Sequence, residues 1–251
     1  MTVKPKPDLS DGERFAGFPP AGISFLRELE HNNTRDWFEA HRSTYEEHVR
    51  APALSLVAAL GRRVEEAFPP VTYRQVGKGA SLMRINRDTR FSADKRPYKT
   101  QVAMMFVPAG ESKMAVPGFG LQITTEYAEL IAGQFAFDPR QLDAFRHAVL
   151  DPTAGSALKD AVERVAHAGT SPNAYPLGGQ QLKRIPRGYD ADHPMAEWLK
   201  FKGLHVFAPT IPLDVVATPE VVDAAMDHFH AMAPIWKWLM EYIDRTVKRS
   251  E

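Results

Sequence analysis

At residue 80 the hydrophobic period of this chain changes, and that change bounds the fold more tightly than any other feature. Upstream, apolar residues recur at three- and four-residue steps: Phe25, Leu26 and Leu29 in one segment, Leu54, Val57, Ala58 and Val64 in another. That spacing gives one buried face of an α-helix. From 80 onward the apolar residues fall into short runs, 81–86, 101–107, 119–124 and 127–135, which predict strands. After Asp138-Pro139 the helical period returns. Helices, then strands, then helices, with no strict β–α–β alternation, predict an α+β fold. Its mostly antiparallel sheet is covered by the N-terminal and C-terminal helices.

Within that plan the boundaries follow local chemistry. Residues 1–17 carry Pro5, Pro7, Gly12 and Gly17 among polar residues and are expected to form a flexible tail, leaving 18–251 as a single domain. Asn33 is the expected N-cap of a second helix whose Trp37, Phe38, His41 and Tyr45 make one aromatic face. Val102 to Val107 is apolar on both alternating faces, as a strand covered on two sides requires. A turn near Thr125-Glu126 makes a hairpin. Asp138-Pro139 starts a helix through Leu142, Phe145 and Val149, and another covers 154–167. Residues 169–192, rich in Gly, Pro, Asn and Asp, form a long loop with a short strand at Gln181–Ile185. His193-Pro194 opens a short helix, and Leu204 to Phe207 reads as a strand. Thr218 and Pro219 start the last helix, whose stripe runs from Val222 to Ile243, with a kink or break at Pro234.

Composition removes several classes of function. The chain has no cysteine, so disulfides, thiolate metal sites and cysteine nucleophiles are absent. No apolar run has the length of a membrane span or of a signal peptide, which predicts a soluble, cytoplasmic protein with no membrane partner. No G-x-G-x-x-G or P-loop sequence occurs. The 31 basic and 31 acidic residues balance, so an anionic partner must meet a local patch.

That patch is evident. From Arg74 to Lys99 stand Arg74, Lys78, Arg84, Arg87, Arg90, Lys95, Arg96 and Lys99 against Asp88 and Asp94, a balance of 8 − 2 = +6. If 81–86 is a strand, residues 87–99 form a connection too long for a simple hairpin, and such loops are commonly functional. Clustered cations persist only when carboxylates or an anionic ligand neutralise them. Arginine suits planar capture of phosphate or carboxylate. The leading reading is therefore a binding module for a small anionic or phosphorylated ligand. Arg84, Arg87, Arg90, Lys95 and Lys99 bind the anion, Asp88 orients the arginines, and Phe91 and Tyr98 anchor the loop in the core.

Two readings compete with it. One is a divalent-metal-dependent phosphoesterase or nuclease using Asp88 and Asp94. The other is a salt-bridge lattice, with acids such as Glu126 or Glu129 joining in and no ligand. Nucleic acid is a less favoured partner, because the chain is neutral and one loop is a small footprint. No cofactor is expected, and no catalytic residue is assigned. His228-x-His230 points to opposite sides of a helix and does not read as a metal pair. His193 reads first as a helix-start residue. Ser81 and Ser92 lie in no nucleophile motif, and Lys183, Arg184 and Arg187 read as surface.

The pattern Arg84-x-x-Arg87-Asp88-x-Arg90-Phe91-x-x-x-Lys95-x-Pro97-Tyr98-Lys99 resembles the hallmark of a conserved hypothetical family, domain of unknown function 2461. Asn32-Asn33, Trp37-Phe38 and Tyr45 are similar to that family too, as are Pro186-Arg187-Gly188-Tyr189-Asp190 and His193-Pro194. The resemblance covers roughly 18–245 and is weaker around Ala132-Gly133-Gln134, where the family implies more glycines and this chain has fewer to permit a close backbone approach. It implies that the motif acts as a unit; it implies no activity.

Overall fold

The computed structural model describes residues 15–171 and 173–244. Its helices are α1 (Pro20–His31), α2 (Arg35–Ala40), α3 (Arg42–Tyr45), α4 (Ala51–Ala67), α5 (Pro139–Leu150), α6 (Pro152–His167), α7 (Leu213–Val216) and α8 (Val221–Leu239). The strands are β1 (Val71–Thr72), β2 (Val102–Pro108), β3 (Gly118–Ile123), β4 (Tyr127–Gln134), β5 (Leu177–Gln180), β6 (Phe201–Phe207) and β7 (Ile211–Pro212). They form one antiparallel sheet in the order β1-β2-β3-β4-β6-β5, with β7 on the start of β4. The fold is α+β, as the change of period predicts.

Alternation along the strands sorts the two faces of the sheet. Met104 and Phe106 of β2, Phe119, Leu121 and Ile123 of β3, and Leu130 and Ala132 of β4 are buried in the main core. There α8 lies against β3, β4 and β6, and α4 lies against β1, β2 and α8. Phe119 touches Phe68, Phe229 and Trp236 with ring centroids 4.5–5.1 Å apart, so aromatic packing ties β3 to both helices. The opposite face has thinner cover. A small hydrophobic cluster of Met105, Val107 and Val116 is buried there, with Met83 packed on it. The two-sided burial expected for β2 thus comes from the helices on one side and a small cluster on the other.

Several boundaries differ from expectation. Residues 81–86 are not a continuous strand but meet their partner segment at two isolated bridges, Leu82 with Met104 and Asn86 with Tyr98. Four steps separate 82 from 86 and six separate 98 from 104, so a regular ladder cannot close. The helix after α1 is capped by Thr34, whose side chain accepts from the Trp37 N–H at 3.3 Å, because Asn33 is engaged elsewhere. The strand expected at Gln181–Ile185 lies instead at β5, and the N–H groups of Gln181 and Leu182 share the Lys200 carbonyl. Helix α8 starts at Val221, after Pro219, and continues through Pro234 without a break, its flanking Met232, Ala233, Ile235 and Trp236 all being buried. Tertiary packing outweighs the lost hydrogen bond. A close approach does occur at Gly133: φ is +119°, and a Cβ would lie 2.4 Å from the Leu204 carbonyl oxygen of β6. Residues 1–14 of the expected tail lie outside the described residues, and Phe15 is buried in the core.

Candidate functional site

The 84–99 loop is clamped at its neck. The Asn33 side chain donates to the Tyr98 carbonyl and accepts from the Tyr98 N–H, each at 3.0 Å. Below that contact the Tyr98 ring is buried and stacks on Phe38 at 4.1 Å. Arg87 N–H donates to the Pro97 carbonyl at 2.9 Å and Lys99 N–H to the Ile85 carbonyl at 2.8 Å, closing the two arms. The aromatic face of the N-terminal helices is therefore the seat of the loop. Tyr98 anchors it as expected. Phe91 does not: it is 95 % exposed at the tip, with the Arg90 guanidinium 5.8 Å from its ring centre.

Three of the six cations of the loop pair with its own acids. Asp94 accepts from Arg87 at 2.6 Å and from Arg96 at 2.7 Å, and Asp88 accepts from Arg90 at 2.7 Å. These bonds hold both carboxyls below the usual range: the Arg96 side chain first and then Arg87 for Asp94, and Arg90 for Asp88. Each Asp also accepts from the backbone N–H two residues on, Arg90 N–H at 3.2 Å and Arg96 N–H at 3.0 Å. The sequence thus builds two local Asp turns, each with its arginine folded back. Lys95 donates to the Thr89 carbonyl at 3.0 Å. Glu126 and Glu129, offered as further lattice acids, form no ion pair with the loop among the described residues.

A second group of cations stands apart. Arg84 and Lys99 have no carboxylate partner among the described residues, and the Lys99 ammonium donates only to the Arg84 carbonyl, at 3.1 Å. Lys113, from the loop after β2, donates to the carbonyls of Ala80 and Ser81. Burial lowers the Lys99 pKa and the charge of Arg84 lowers it further; burial and then Lys99 do the same to Lys113. Lys99 is therefore within electrostatic reach of both Arg84 and Lys113, while Arg84 also acts on the Asp88 carboxylate. Beside them, on the thinly covered face of the sheet, lies a groove of about 280 Å³ that includes Lys99, Gln101, Gln122 and Glu129.

The loop is thus two sites by charge. Arg87, Asp88, Arg90, Asp94 and Arg96 pair with one another and leave one positive charge in excess, while Lys99 lines the groove on the sheet and bonds the Arg84 carbonyl. Sequence reading missed Lys113, Gln122 and the role of Glu129 at the groove. The signal was present, since Gln101 and Gln122 interrupt otherwise apolar runs at positions sharing one face. Among the described residues no group of three or more His, Asp or Glu side chains could hold a metal ion. His193 acts at a helix start, its ring accepting from the Met195 N–H at 3.1 Å. His228 bonds Tyr175 at 2.8 Å, and Ser81 accepts from the Arg74 N–H at 3.1 Å.

Comparison with known families matches residues 21–238 to a conserved hypothetical protein family, DUF2461. The chain belongs to this family. The DUF2461 match takes in nearly all of α1 and of α8, the 84–99 loop and the whole sheet. No curated protein matches the chain. No helix among the described residues is long and apolar enough to cross a membrane.

Proposed function

We propose that this DUF2461 protein is a cytoplasmic binding module for a small phosphate- or carboxylate-bearing anion, held at Arg84 and Lys99. The observation that carries the reading is the separation of charges. The acids of the loop make their ion pairs with Arg87, Arg90 and Arg96, so Arg84 and Lys99 form no ion pair among the described residues, and Arg84 feels Asp88 only at longer range. A half-buried ammonium that meets only a carbonyl gains most from an anion, because charge-assisted bonds strengthen away from water. In this reading Arg87, Asp88, Arg90, Lys95 and Tyr98 shape the loop that presents the site, and Phe91 is free to meet a larger partner.

A scaffold reading has its own support in the pairs of Asp94 and Asp88, and it describes the tip well. The metal-dependent phosphoesterase reading has less. Asp88 and Asp94 each receive several arginine donors, and a divalent ion would have to displace them.

The test is a thermal-shift panel of phosphate, sulfate, nucleotides and simple carboxylates on the wild type and on Arg84→Gln and Lys99→Met. An anion at about a hundred times its dissociation constant stabilises the native state by roughly 2.7 kcal/mol. A shift seen in the wild type and lost in both variants supports the proposal. An equal shift in all three proteins, or none with any anion, overturns it.

A further inference from the structure

The groove beside Lys99 has two chemically different ends, and strand register fixes the difference. Gln122 pairs with Glu129 near the β3–β4 turn, and Lys99 and Gln101 enter at that same end. One step further along the strands, Gly120 pairs with both Met105 and Ile131. Met83, Met114 and Phe135 wall this second, apolar end. Met114 and Phe135 are exposed large hydrophobic residues on a face that the helices do not cover. At Gly120 a Cβ would lie 2.7 Å from the Met105 sulfur and 2.8 Å from an Ile131 methyl, so the floor is already filled by these neighbours. Methionine walls adjust to apolar bodies of varied shape.

At the polar end two opposite charges line the same space without pairing. Lys99 spends one donor on the Arg84 carbonyl, and Glu129 has neither an ion pair nor a side-chain hydrogen bond among the described residues. A purely anionic guest is attracted by Lys99 and Arg84 but repelled by Glu129; a purely cationic guest meets the reverse. Only a guest carrying both charges on neighbouring atoms is attracted by both. A cavity of about 280 Å³ has the scale of a small metabolite rather than of a peptide segment.

We infer that the groove binds a zwitterion with an apolar body, of the class of free large apolar α-amino acids. Its carboxylate sits at Lys99 with Arg84 behind, its ammonium at Glu129, and its side chain among Met83, Met105 and Ile131. This rests on the anion-binding reading of Lys99 and adds the second charge and the apolar body to it.

Calorimetric titration of the full chain with L-phenylalanine, L-methionine, hydrocinnamate, phenethylamine and inorganic phosphate tests it. Either amino acid should bind about tenfold or more tightly than both single-charge analogues, the worth of one charge-assisted bond. Glu129→Gln should bring phenylalanine down to the level of hydrocinnamate in the same variant, and should bind phosphate at least as tightly as wild type, because the repelling carboxylate is gone. Ala103→Leu, which extends into the groove, should weaken the amino acids by about tenfold or more and also spare phosphate. If hydrocinnamate matches phenylalanine, or Glu129→Gln changes nothing, the inference falls while phosphate binding still upholds the anion site. If neither phosphate nor any amino acid binds, both fall together.

Discussion

The Asn33 side-chain amide holds both backbone polar groups of Tyr98, through two bonds of 3.0 Å across 65 residues of chain. A residue just ahead of the α2 cap thereby sets where the basic loop ends. Asn33→Ala leaves a partly buried N–H and C=O without partners, which costs about 1–3 kcal/mol. Urea unfolding should show that loss as a lower midpoint at unchanged slope. Asn33→Asp restores only the acceptor and should recover less than the full difference.

Two phenylalanines of similar standing in the sequence should behave oppositely. Phe38 is buried and stacked on Tyr98, so Phe38→Ala should cost about 3–5 kcal/mol. Phe91 is almost wholly exposed, and Phe91→Ala should stay within about 0.5 kcal/mol of wild type. Paired melting curves decide the matter. A large loss for Phe91→Ala would restore it as an anchor.

The Asp94 cluster should appear in acid. Its carboxyl is held below the ordinary value of 3.8 by Arg96 and Arg87, so its contribution is complete above that pH and is lost as pH falls through the depressed value. Melting temperature measured from pH 5 to pH 2 should therefore drop less steeply in Asp94→Asn than in wild type. Identical slopes would show that these exposed pairs add nothing to stability.

Histidine makes a separate window. Burial lowers the pKa of His205 and of His228 from the ordinary 6.5, with Asp227 partly opposing it at His228. The folded state then holds these rings neutral while the unfolded chain protonates. Stability should be full above about 6.5 and decline as pH falls below it. His228→Gln should flatten that decline in denaturant titrations between pH 8 and pH 5, and ring-proton NMR should place both midpoints below 6.5.

Anion binding at Lys99 should fade at high pH. The ammonium form is the one that binds, and burial together with Arg84 brings its loss below the ordinary 10.5. The affinity for sulfate, which does not titrate in this range, should be level near neutrality and fall as pH rises, and Lys99→Arg should keep it level over the same range. A pH-independent affinity in the wild type would move the anion away from Lys99.

The sheet was legible because its side chains obey a period of two that helices cannot imitate, and Asp138-Pro139 was legible because capping is local. Asp138 accepts from the Gln141 N–H at 2.9 Å, and the Gln141 side chain answers at 3.1 Å. Asn33 was misread for the complementary reason. It has the right chemistry for a cap, but a partner 65 residues away claims its side chain, and Thr34 caps instead. Pro234 signalled a break that the packing of α8 overrode. At the site, charge count located the loop but not its partition. Which arginine meets which aspartate depends on two Asp turns, whereas the place of Lys99 at the groove depends on long-range register.

The mismatch of four steps against six between the two bridges also governs how the molecule meets copies of itself. One border of the sheet is the two-residue β1 and this interrupted segment; the other is β5, four residues long with a shift of register between Gly178 and Gln180. Among the described residues neither border offers a straight row of free backbone donors and acceptors onto which another chain could zip. The protein can therefore leave one side of its sheet bare and greasy while giving fibrils no template to grow from.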